Sequence, residues 1–316
     1  MRQLVVSRIA REARGIVGVH LRSPDGAMLP AFEAGAHVDV ALGNGQLRQY
    51  SLCGDPAELS VYRLGVGLAP ESRGGSRYIH QHLREGDRVH ISEPRQLFGL
   101  HAQATRHVFI AGGIGITPIL SMIFACERRG EPWRLLYCVR ERDAAAYLSE
   151  LAAYGERVDL HVDSERQGAL CDLDAYLQVQ QDPGLHVYCC GPAPLMAAVA
   201  AASERRGIAA GRVHFERFTA GADAAAQTGE TFQIRLVRSG GSYEVPADKS
   251  VLDVLEAAGV AWPHSCREGL CRSCEATVLS GDVDHRDYVL SDEERAAGRS
   301  MMVCVSRGCG TLELDV

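Results

Sequence analysis

Four cysteines near the end of the chain are spaced for iron–sulfur chemistry. Four residues separate Cys266 from Cys271, two separate Cys271 from Cys274, and Cys304 follows after a further 29 residues. Three thiolates on one loop and a fourth from a distant segment can hold two irons and two bridging sulfides. A zinc site and ordinary buried thiols are the alternatives, but zinc prefers paired cysteines on two loops, whereas Cys304 is single. The spacing therefore predicts a 2Fe-2S site, and the apolar residues 301–305 predict a buried strand around Cys304.

Two arginines adjoin these cysteines. Many loops of this spacing have glycine directly after the second cysteine, where this chain has Arg272. A side chain at that position restricts the backbone. Together with Arg267, it would place positive charge near the cluster, favour the reduced, more negative state and so raise the reduction potential. The alternative for Arg272 is a solvated surface side chain.

Residues 48–51 and 73–76 suit a phosphate and a flat aromatic ring system. The second segment reads Arg-Gly-Gly-Ser and precedes a helix predicted from about Arg77. Glycine amides and a hydroxyl at a helix start can bind an anion. A tyrosine ring can stack on a flavin, and a serine hydroxyl can reach its N5, although a lone tyrosine could equally be a barrel aromatic. The predicted flavin-binding residues are Arg48, Tyr50, Ser51, Gly74, Gly75 and Ser76.

A glycine loop follows a predicted buried strand and opens a helix. Glycines there let a backbone approach a pyrophosphate, or merely allow tight packing, and proline suits a first helical turn. Another strand ends in Cys-Cys-Gly-Pro, and nucleotides bind at the carboxyl ends of such strands. A small buried hydrophobe is the alternative for Cys190, and Cys189 is expected in the core. The predicted nucleotide-binding residues here are Gly112, Gly113, Gly115, Thr117, Pro118, Cys190, Gly191 and Pro192.

The ends of two further strands bear on which nucleotide is bound. Arg140 and Asp163 are expected to contact it, and no cluster of basic residues accompanies them of the kind that a 2′-phosphate requires. Arg140 and Arg142 are the basic residues here that would favour a 2′-phosphate. The sequence therefore favours NADH over NADPH.

Length and composition narrow the class of protein. The 316 residues suffice for two or three compact domains. A net charge of −7 without a basic stripe argues against a nucleic-acid partner. No apolar run approaches the roughly 20 residues that cross a bilayer, and the N-terminus lacks the apolar core of a signal peptide. We expect a cytoplasmic protein without membrane contact, whose eleven cysteines are reduced thiols or metal ligands.

Patterns of hydrophobicity divide the chain. Residues 5–97 show short alternating strands with Gly and Asn turns, which predicts a closed antiparallel β-barrel. Strands then alternate with helices, which predicts a parallel sheet covered on both faces. The predicted strands cover residues 107–111, 133–139, 158–162 and 186–190, and the predicted helices cover 118–129 and 144–154. Residues 219–230 suit a linker, and a hairpin (232–237 with 241–245) and a helix (251–258) follow it.

These motifs together resemble the ferredoxin–NADP reductase superfamily. The order of barrel, nucleotide domain and C-terminal cysteine loop is similar to the phthalate dioxygenase reductase and vanillate demethylase reductase family, over essentially the whole chain. The resemblance implies three domains: an FMN-binding β-barrel at residues 1–103, an NAD-binding α/β domain at 104–224, and a plant-type 2Fe-2S ferredoxin of α+β (β-grasp) fold at 230–316.

The same resemblance implies roles for single residues. The six predicted flavin-binding residues would hold FMN, with Glu216 and Phe218 bordering the flavin. Thr117 and Cys190 would flank the nicotinamide. The residues expected to act in catalysis are Ser51, Thr117, Cys190 and Glu216.

The function implied by the resemblance is that of a monomeric NADH-dependent reductase for a Rieske-type oxygenase. A hydride would reach flavin N5 near Ser51, and the cluster would then take single electrons from the flavin. A stand-alone reductase of a small acceptor is an alternative, and a redox sensor is disfavoured by the two nucleotide sites. Residues 230–316 hold fifteen acidic and nine basic residues, against 25 and 24 in residues 1–229, so we expect the ferredoxin domain to dock on a basic patch.

Overall fold

The computed structural model describes residues 1–69, 72, 74–178, 182–219 and 229–316. The chain divides into two compact units, Met1–Glu216 and Arg217–Val316. Among the described residues, no helix combines the length and apolar character needed to cross a membrane. Two sheets lie in the first unit and one in the second. The predicted boundaries at residues 103, 224 and 230 stay a prediction, and most of the predicted linker, residues 220–228, lies outside the described residues.

The first sheet is antiparallel, as the alternating pattern predicted. Its spatial order is β4-β3-β6-β1-β2-β5, and β7 also pairs with β3. A bridge between Leu52 and Leu64 brings β4 next to β5, which closes the sheet into a barrel. The strands are β1 (Arg2–Ala13), β2 (Ile16–Arg22), β3 (Ala36–Ala41), β4 (Leu47–Ser51), β5 (Tyr62–Gly67), β6 (Arg88–Ile91) and β7 (Arg95–Gln96).

One short helix, α1 (Gly75–Gln81), follows β5. The sequence placed its start at about Arg77, which was two residues too late. Gly74 has φ = 100°, a left-handed conformation that costs glycine little and lets the helix begin directly after it. Ile79 of α1 packs into the barrel core among the inward side chains of the strands, such as Val38 and Leu64.

The second sheet is parallel, with order β10-β9-β8-β11-β12. Apolar clusters cover it, one around α2 and another around α4 and α5. Its strands are β8 (Arg106–Gly112), β9 (Trp133–Val139), β10 (Val158–Val162), β11 (Leu185–Cys190) and β12 (Val213–Glu216), and its helices are α2 (Ile116–Arg129), α3 (Leu148–Leu151), α4 (Leu173–Tyr176) and α5 (Ala193–Arg205).

The helix predicted over residues 144–154 is wrong in extent. It is reduced to α3, followed by a 3-10 segment at Ala152–Arg157. Tyr147 has φ = 60°, so the backbone leaves the right-handed helical region directly before α3. Tyr147 is buried, and its hydroxyl lies 3.6 Å from the sulfur of Cys53 on the barrel side. Tertiary packing therefore overrides the local helical pattern.

The second unit holds a mixed sheet with order β14-β13-β17-β15-β16. The predicted hairpin is present as an antiparallel pair of strands, and Ser250 caps α6 with a capping box to Asp253. The elements are β13 (Phe232–Leu236), β14 (Ser242–Val245), α6 (Val251–Ala257), β15 (Glu275–Asp284), α7 (Asp292–Ala297), β16 (Ser300–Met302) and β17 (Arg307–Leu314).

Candidate functional site

The loop that carries three of the four cysteines is shaped by left-handed residues. Arg267, Gly269 and Arg272 have φ of 58°, 70° and 57°. At Gly269 there is no room for a side chain, because a Cβ would lie 2.7 Å from Cγ2 of Val305 and 3.0 Å from Cα of Asp287. Such repeated left-handed turns curl the backbone and aim its amides inward.

The curled loop provides hydrogen bonds to sulfur. The backbone amides of Glu268 and Leu270 donate to Sγ of Cys266, at 3.3 and 3.4 Å. Hydrogen bonds from the thiols of Cys271 and Cys304, with these amides, lower the pKa of Cys266. Thiolate is the form that binds iron, and amide hydrogen bonds to sulfur are a general feature of cluster sites. The four cysteines therefore fit a 2Fe-2S cluster.

Cys304 does not lie on a strand, which corrects the prediction for residues 301–305. Strand β16 ends at Met302, and Cys304 lies in the turn that leads to β17. It is buried all the same, since Met301, Met302 and Val303 around it belong to the apolar core of the second unit. The amide of Leu252 on α6 donates to the carbonyl of Val303 at 2.9 Å and fixes this turn.

The two arginines of the cysteine loop are paired with carboxylates. Nε of Arg272 lies 3.0 Å from Glu275, and its Nη2 lies 2.6 Å from Glu294 on α7. Arg267 pairs with Glu256 and lies 3.4 Å from Asp253, both on α6. Neither arginine is a lone cation. Each brings a positive charge that two carboxylates already surround, and each ties the loop to a helix.

A separate cradle in the barrel is formed by Arg48 of β4 and the start of α1. A Cβ at Gly75 would lie 2.6 Å from Cγ of Arg48, so glycine is required for the arginine to cross this position. The Arg48 guanidinium donates to the carbonyl of Leu47 at 2.8 Å and also pairs with Gln46. Gly74 and Gly75 are thus brought beside a guanidinium, an arrangement that suits an anionic phosphate.

The remaining predicted flavin residues flank this cradle. The hydroxyl of Ser76 donates to Ser72 at 3.0 Å and accepts from the amide of Ala69 at 3.2 Å. Tyr50 is half-buried on β4, and burial raises its pKa to about 12. Ser76 and Tyr50 thus lie on the two elements that form the cradle, α1 and β4.

Three of the four predicted catalytic residues meet at one point. Ser51 ends barrel strand β4, Cys190 ends β11 and Glu216 ends β12. The Ser51 hydroxyl lies 3.5 Å from Oε2 of Glu216, and the Cys190 thiol lies 3.9 Å from the same oxygen. Desolvation raises the pKa of Glu216 to about 8, so its carboxyl is protonated at neutral pH. The barrel and the parallel sheet thus contribute jointly to one polar, uncharged site.

Thr117, the fourth residue, lies beside the same boundary. It is buried at the start of α2, and a Cβ at Gly65 of β5 would come within 2.5 Å of its Cγ2. Its hydroxyl donates to the carbonyl of Ile114 at 3.0 Å. Pro118 follows in the first turn of α2, as predicted.

The glycines of the loop after β8 serve two different purposes. At Gly115, a Cβ would lie 2.1 Å from the carbonyl oxygen of Cys190, and at Gly112 it would lie 2.6 Å from Pro192. A Cβ at Gly191 would in turn lie 3.0 Å from Cα of Gly112. These three glycines are required by packing between β8 and β11. Gly113 differs, because it has φ = 54° and no atom within 4 Å of its Cβ position.

Arg140 and Asp163 directly follow β9 and β10, which are neighbours in the parallel sheet. The carbonyl of Arg140 accepts from the amide of Ser164 at 3.1 Å, which holds the two strand ends together. Asp163 lies 3.4 Å from Nε2 of His161. Both residues are therefore at the carboxyl edge of the sheet, where nucleotides bind in such folds.

Sequence reasoning missed a set of contacts between the barrel and the parallel sheet. Arg63 of β5 makes a two-pronged ion pair with Glu150 of α3, at 2.9 and 2.6 Å. Tyr147 and Cys53 meet beside it. No motif marks these residues, since they are distant in sequence.

Phe218, which was predicted to border the flavin, belongs to the second unit and is 41% exposed.

Similarity to known proteins identifies the family of this chain. A model of the 2Fe-2S iron-sulfur cluster binding domain matches residues 234–309, which include all four cysteines. A model of the N-terminal domain of dimethylamine monooxygenase subunit DmmA-like proteins matches residues 92–213. The β subunit of phenoxybenzoate dioxygenase from Ectopseudomonas oleovorans is 46% identical over 99% of this chain and 96% of its own. Phthalate dioxygenase reductase from Burkholderia cepacia is 40% identical, over 96% of this chain and 94% of that protein.

The chain belongs to the phthalate dioxygenase reductase family. A crystal structure of phthalate dioxygenase reductase, described as modular for electron transfer from pyridine nucleotides to [2Fe-2S], has 40% identity and a TM-score of 0.73, covering 99% of this chain and 97% of that one. An intact type IV self-sufficient cytochrome P450 monooxygenase has 38% identity and a TM-score of 0.91 over the whole of this chain. This chain spans 41% of that longer one.

Membership of the phthalate dioxygenase reductase family confirms the predicted fold class and the predicted chemistry. The chain is an oxidoreductase that carries electrons from a pyridine nucleotide through a flavin to a 2Fe-2S cluster, as the reductase component of an oxygenase system. The roles of single residues, the identity of the flavin and the choice of nucleotide stay predictions.

Proposed function

We propose that this chain uses NADH and FMN to reduce a Rieske-type terminal oxygenase. The observation that carries the proposal is the meeting of Ser51, Cys190 and Glu216 at the boundary between barrel and parallel sheet. A flavin held by the barrel and a nucleotide held by the sheet would have their reactive rings together only there. The cytoplasmic location and monomeric state expected from the sequence belong to the same proposal.

FMN is supported by the cradle of Arg48, Gly74 and Gly75. These residues offer one guanidinium and one glycine turn at a helix start, which matches a single terminal phosphate. When bound, FMN accepts a hydride and passes its electrons on singly. Acid extraction of the purified protein followed by mass analysis should yield FMN, and FAD would contradict this part of the proposal.

The chain's own residues hold and shield the reacting centre. Ser51 presents its hydroxyl where the flavin N5 is expected, and Thr117 and Cys190 line the side from which a nicotinamide would approach. Glu216 adds no negative charge at neutral pH, because burial keeps its carboxyl protonated. Any charge at the reacting centre thus comes from the nicotinamide and the flavin. No residue is required as nucleophile or general base.

NADH is supported by the carboxyl edge of the sheet. Asp163 follows β10, and a carboxylate suits the ribose hydroxyls of NADH but repels a 2′-phosphate. Arg142 is paired with Glu165 at 2.6 Å, so its charge is already compensated. We expect a higher kcat/KM for NADH than for NADPH with an artificial acceptor. The reverse order would refute the assignment.

The terminal acceptor is proposed from the relatives and from the cluster domain. A Rieske-type oxygenase partner is supported by full-length similarity to reductases of dioxygenase systems. Hydroxylation reconstituted with the purified reductase and a co-purifying oxygenase tests it, with a variant lacking Cys304 as the control without electron delivery. A haem oxygenase is a second candidate, favoured by the likeness to the self-sufficient P450. A haem spectrum in the captured partner would decide for it.

A further inference from the structure

Two cysteines in the parallel-sheet domain lie close enough for redox chemistry. Sγ of Cys138 on β9 is 3.7 Å from Sγ of Cys171, in the segment before α4. Both residues are partly buried and pack against the same apolar cluster. A disulfide has an S–S length near 2.05 Å, so the sulfurs need to approach by about 1.6 Å. A shift of that size is within reach of a side-chain rotation and a small movement of a loop.

Cys171 is accessible from outside. It lines an open cavity of about 490 Å³ on the face of β9 and β10, together with His161, Arg166 and Tyr176. The hydrogen bond between the two thiols lowers the pKa of Cys171 and raises that of Cys138. Cys171, which lines the cavity, is thus the better nucleophile, and Cys138 is the thiol that can follow.

The segment that carries Cys171 also carries the proposed nucleotide contacts. It leaves β10 at Asp163, and the amide of Ser164 donates to the carbonyl of Arg140 at 3.1 Å. Nε2 of His161 lies 2.9 Å from the carbonyl of Ala169, two residues before Cys171. A bond between the two sulfurs would therefore pull on the turn that positions Arg140 and Asp163.

We propose that Cys138 and Cys171 form a reversible, peroxide-sensitive disulfide that weakens binding of the nicotinamide nucleotide. The Cys171 thiolate attacks hydrogen peroxide, its S–O bond forms as the O–O bond breaks, and hydroxide leaves. The Cys138 thiol then attacks the sulfenic acid, the S–S bond forms, and water leaves with the proton of Cys138. Peroxide is the two-electron oxidant, and reduced flavins that meet oxygen are a chemical source of it. The effect on nucleotide binding rests on the proposed function.

The test uses the full-length protein with flavin and cluster bound. Brief treatment with hydrogen peroxide should remove two hydrogens from the intact mass, and peptide mapping should place the bond between Cys138 and Cys171. The KM for NADH in flavin reduction should rise several-fold and return after dithiothreitol. Cys171→Ser should lack the bond and the KM change, whereas Cys309→Ser, which removes an exposed thiol elsewhere, should show both.

Two results would overturn the proposal. One is oxygen addition at Cys171, or a bond to another cysteine, in place of the Cys138–Cys171 bond. The other is a mapped bond with an unchanged KM for NADH. Untreated protein is assayed for NADH oxidation beforehand, so a failure of the proposed function appears there and is separate from the mass measurement. Cluster absorbance recorded before and after treatment excludes loss of the cluster as the cause.

Discussion

The protonated carboxyl of Glu216 gives the structure a pH dependence that can be measured. Burial raises its pKa from an ordinary 4.5 to about 8. At pH values between these two, the carboxyl is protonated in the folded protein and ionised in the unfolded chain, so folding takes up a proton. The contribution of the protonated Glu216 carboxyl to the free energy of unfolding is fully present below pH 4.5 and is lost as the pH rises through 8. From pH 6 to pH 8 the loss is roughly 2 kcal/mol in the free energy of unfolding. This is an upper limit, since the side chain keeps some exposed surface.

Replacing Glu216 by Gln removes the ionisation and keeps a polar group beside Ser51. Urea unfolding of the flavin-loaded protein, followed by the rise in flavin fluorescence on release, should show a flatter dependence on pH for Glu216→Gln than for the native chain. Glu204→Gln, on the exposed side of α5, is the matched control and should keep the native slope. If Glu216→Gln and the native chain lost stability in parallel between pH 6 and pH 8, the carboxyl would be solvated and our reasoning wrong.

Three further predictions concern the iron–sulfur unit. Cys304→Ser should abolish the cluster spectrum yet leave flavin reduction by NADH near the native rate, with Cys309→Ser as control; slowed flavin reduction would show that the units are not independent. Arg272→Gly should lower the reduction potential because it leaves Glu275 and Glu294 unpaired, whereas Glu294→Gln should raise it; shifts of the same sign would exclude the charge argument. Electron delivery to the oxygenase should slow as salt rises, since charges more than about 8–10 Å apart are screened; a rate independent of salt would point to apolar docking.

Local signals explain how much of this fold could be predicted. Strands 133–139 and 158–162 were predicted at their observed bounds, because the first is a mostly buried apolar stretch and the second alternates apolar and polar residues, and both patterns mark strands. The start of α6 at Val251 was also predicted, and the capping box that holds it, Ser250 with Asp253, spans only three residues. The cysteine set was recognised for the same reason, as iron–sulfur coordination imposes its own spacing.

Contacts between distant residues explain what could not be predicted. Tyr147 is left-handed and buried because its ring fills a space next to Cys53, 94 residues earlier, and no local pattern encodes that contact. The ion pairs of Arg272 are a related case. The sequence placed a cation beside the cluster, but only the fold brings Glu294 within 2.6 Å of it. The expected rise in potential therefore depends on the balance of Arg272 against two carboxylates.

In the glycine loop after β8, the motif alone does not tell which glycines are needed for packing and which for approach of a ligand, whereas the geometry does. The sequence allowed two explanations, tight packing or approach to a pyrophosphate. Gly115 has an ordinary helical φ of −61°, so its lack of a side chain is explained by the carbonyl of Cys190 at 2.1 Å from the Cβ position. Gly113 has open space and a left-handed φ, so a ligand can approach its backbone. Packing at Gly115 also fixes the position of Cys190 relative to Ser51 and Glu216. Gly115 thus positions the strand end that the proposed hydride transfer requires, and the open space at Gly113 is where we propose that the phosphates of the donor bind.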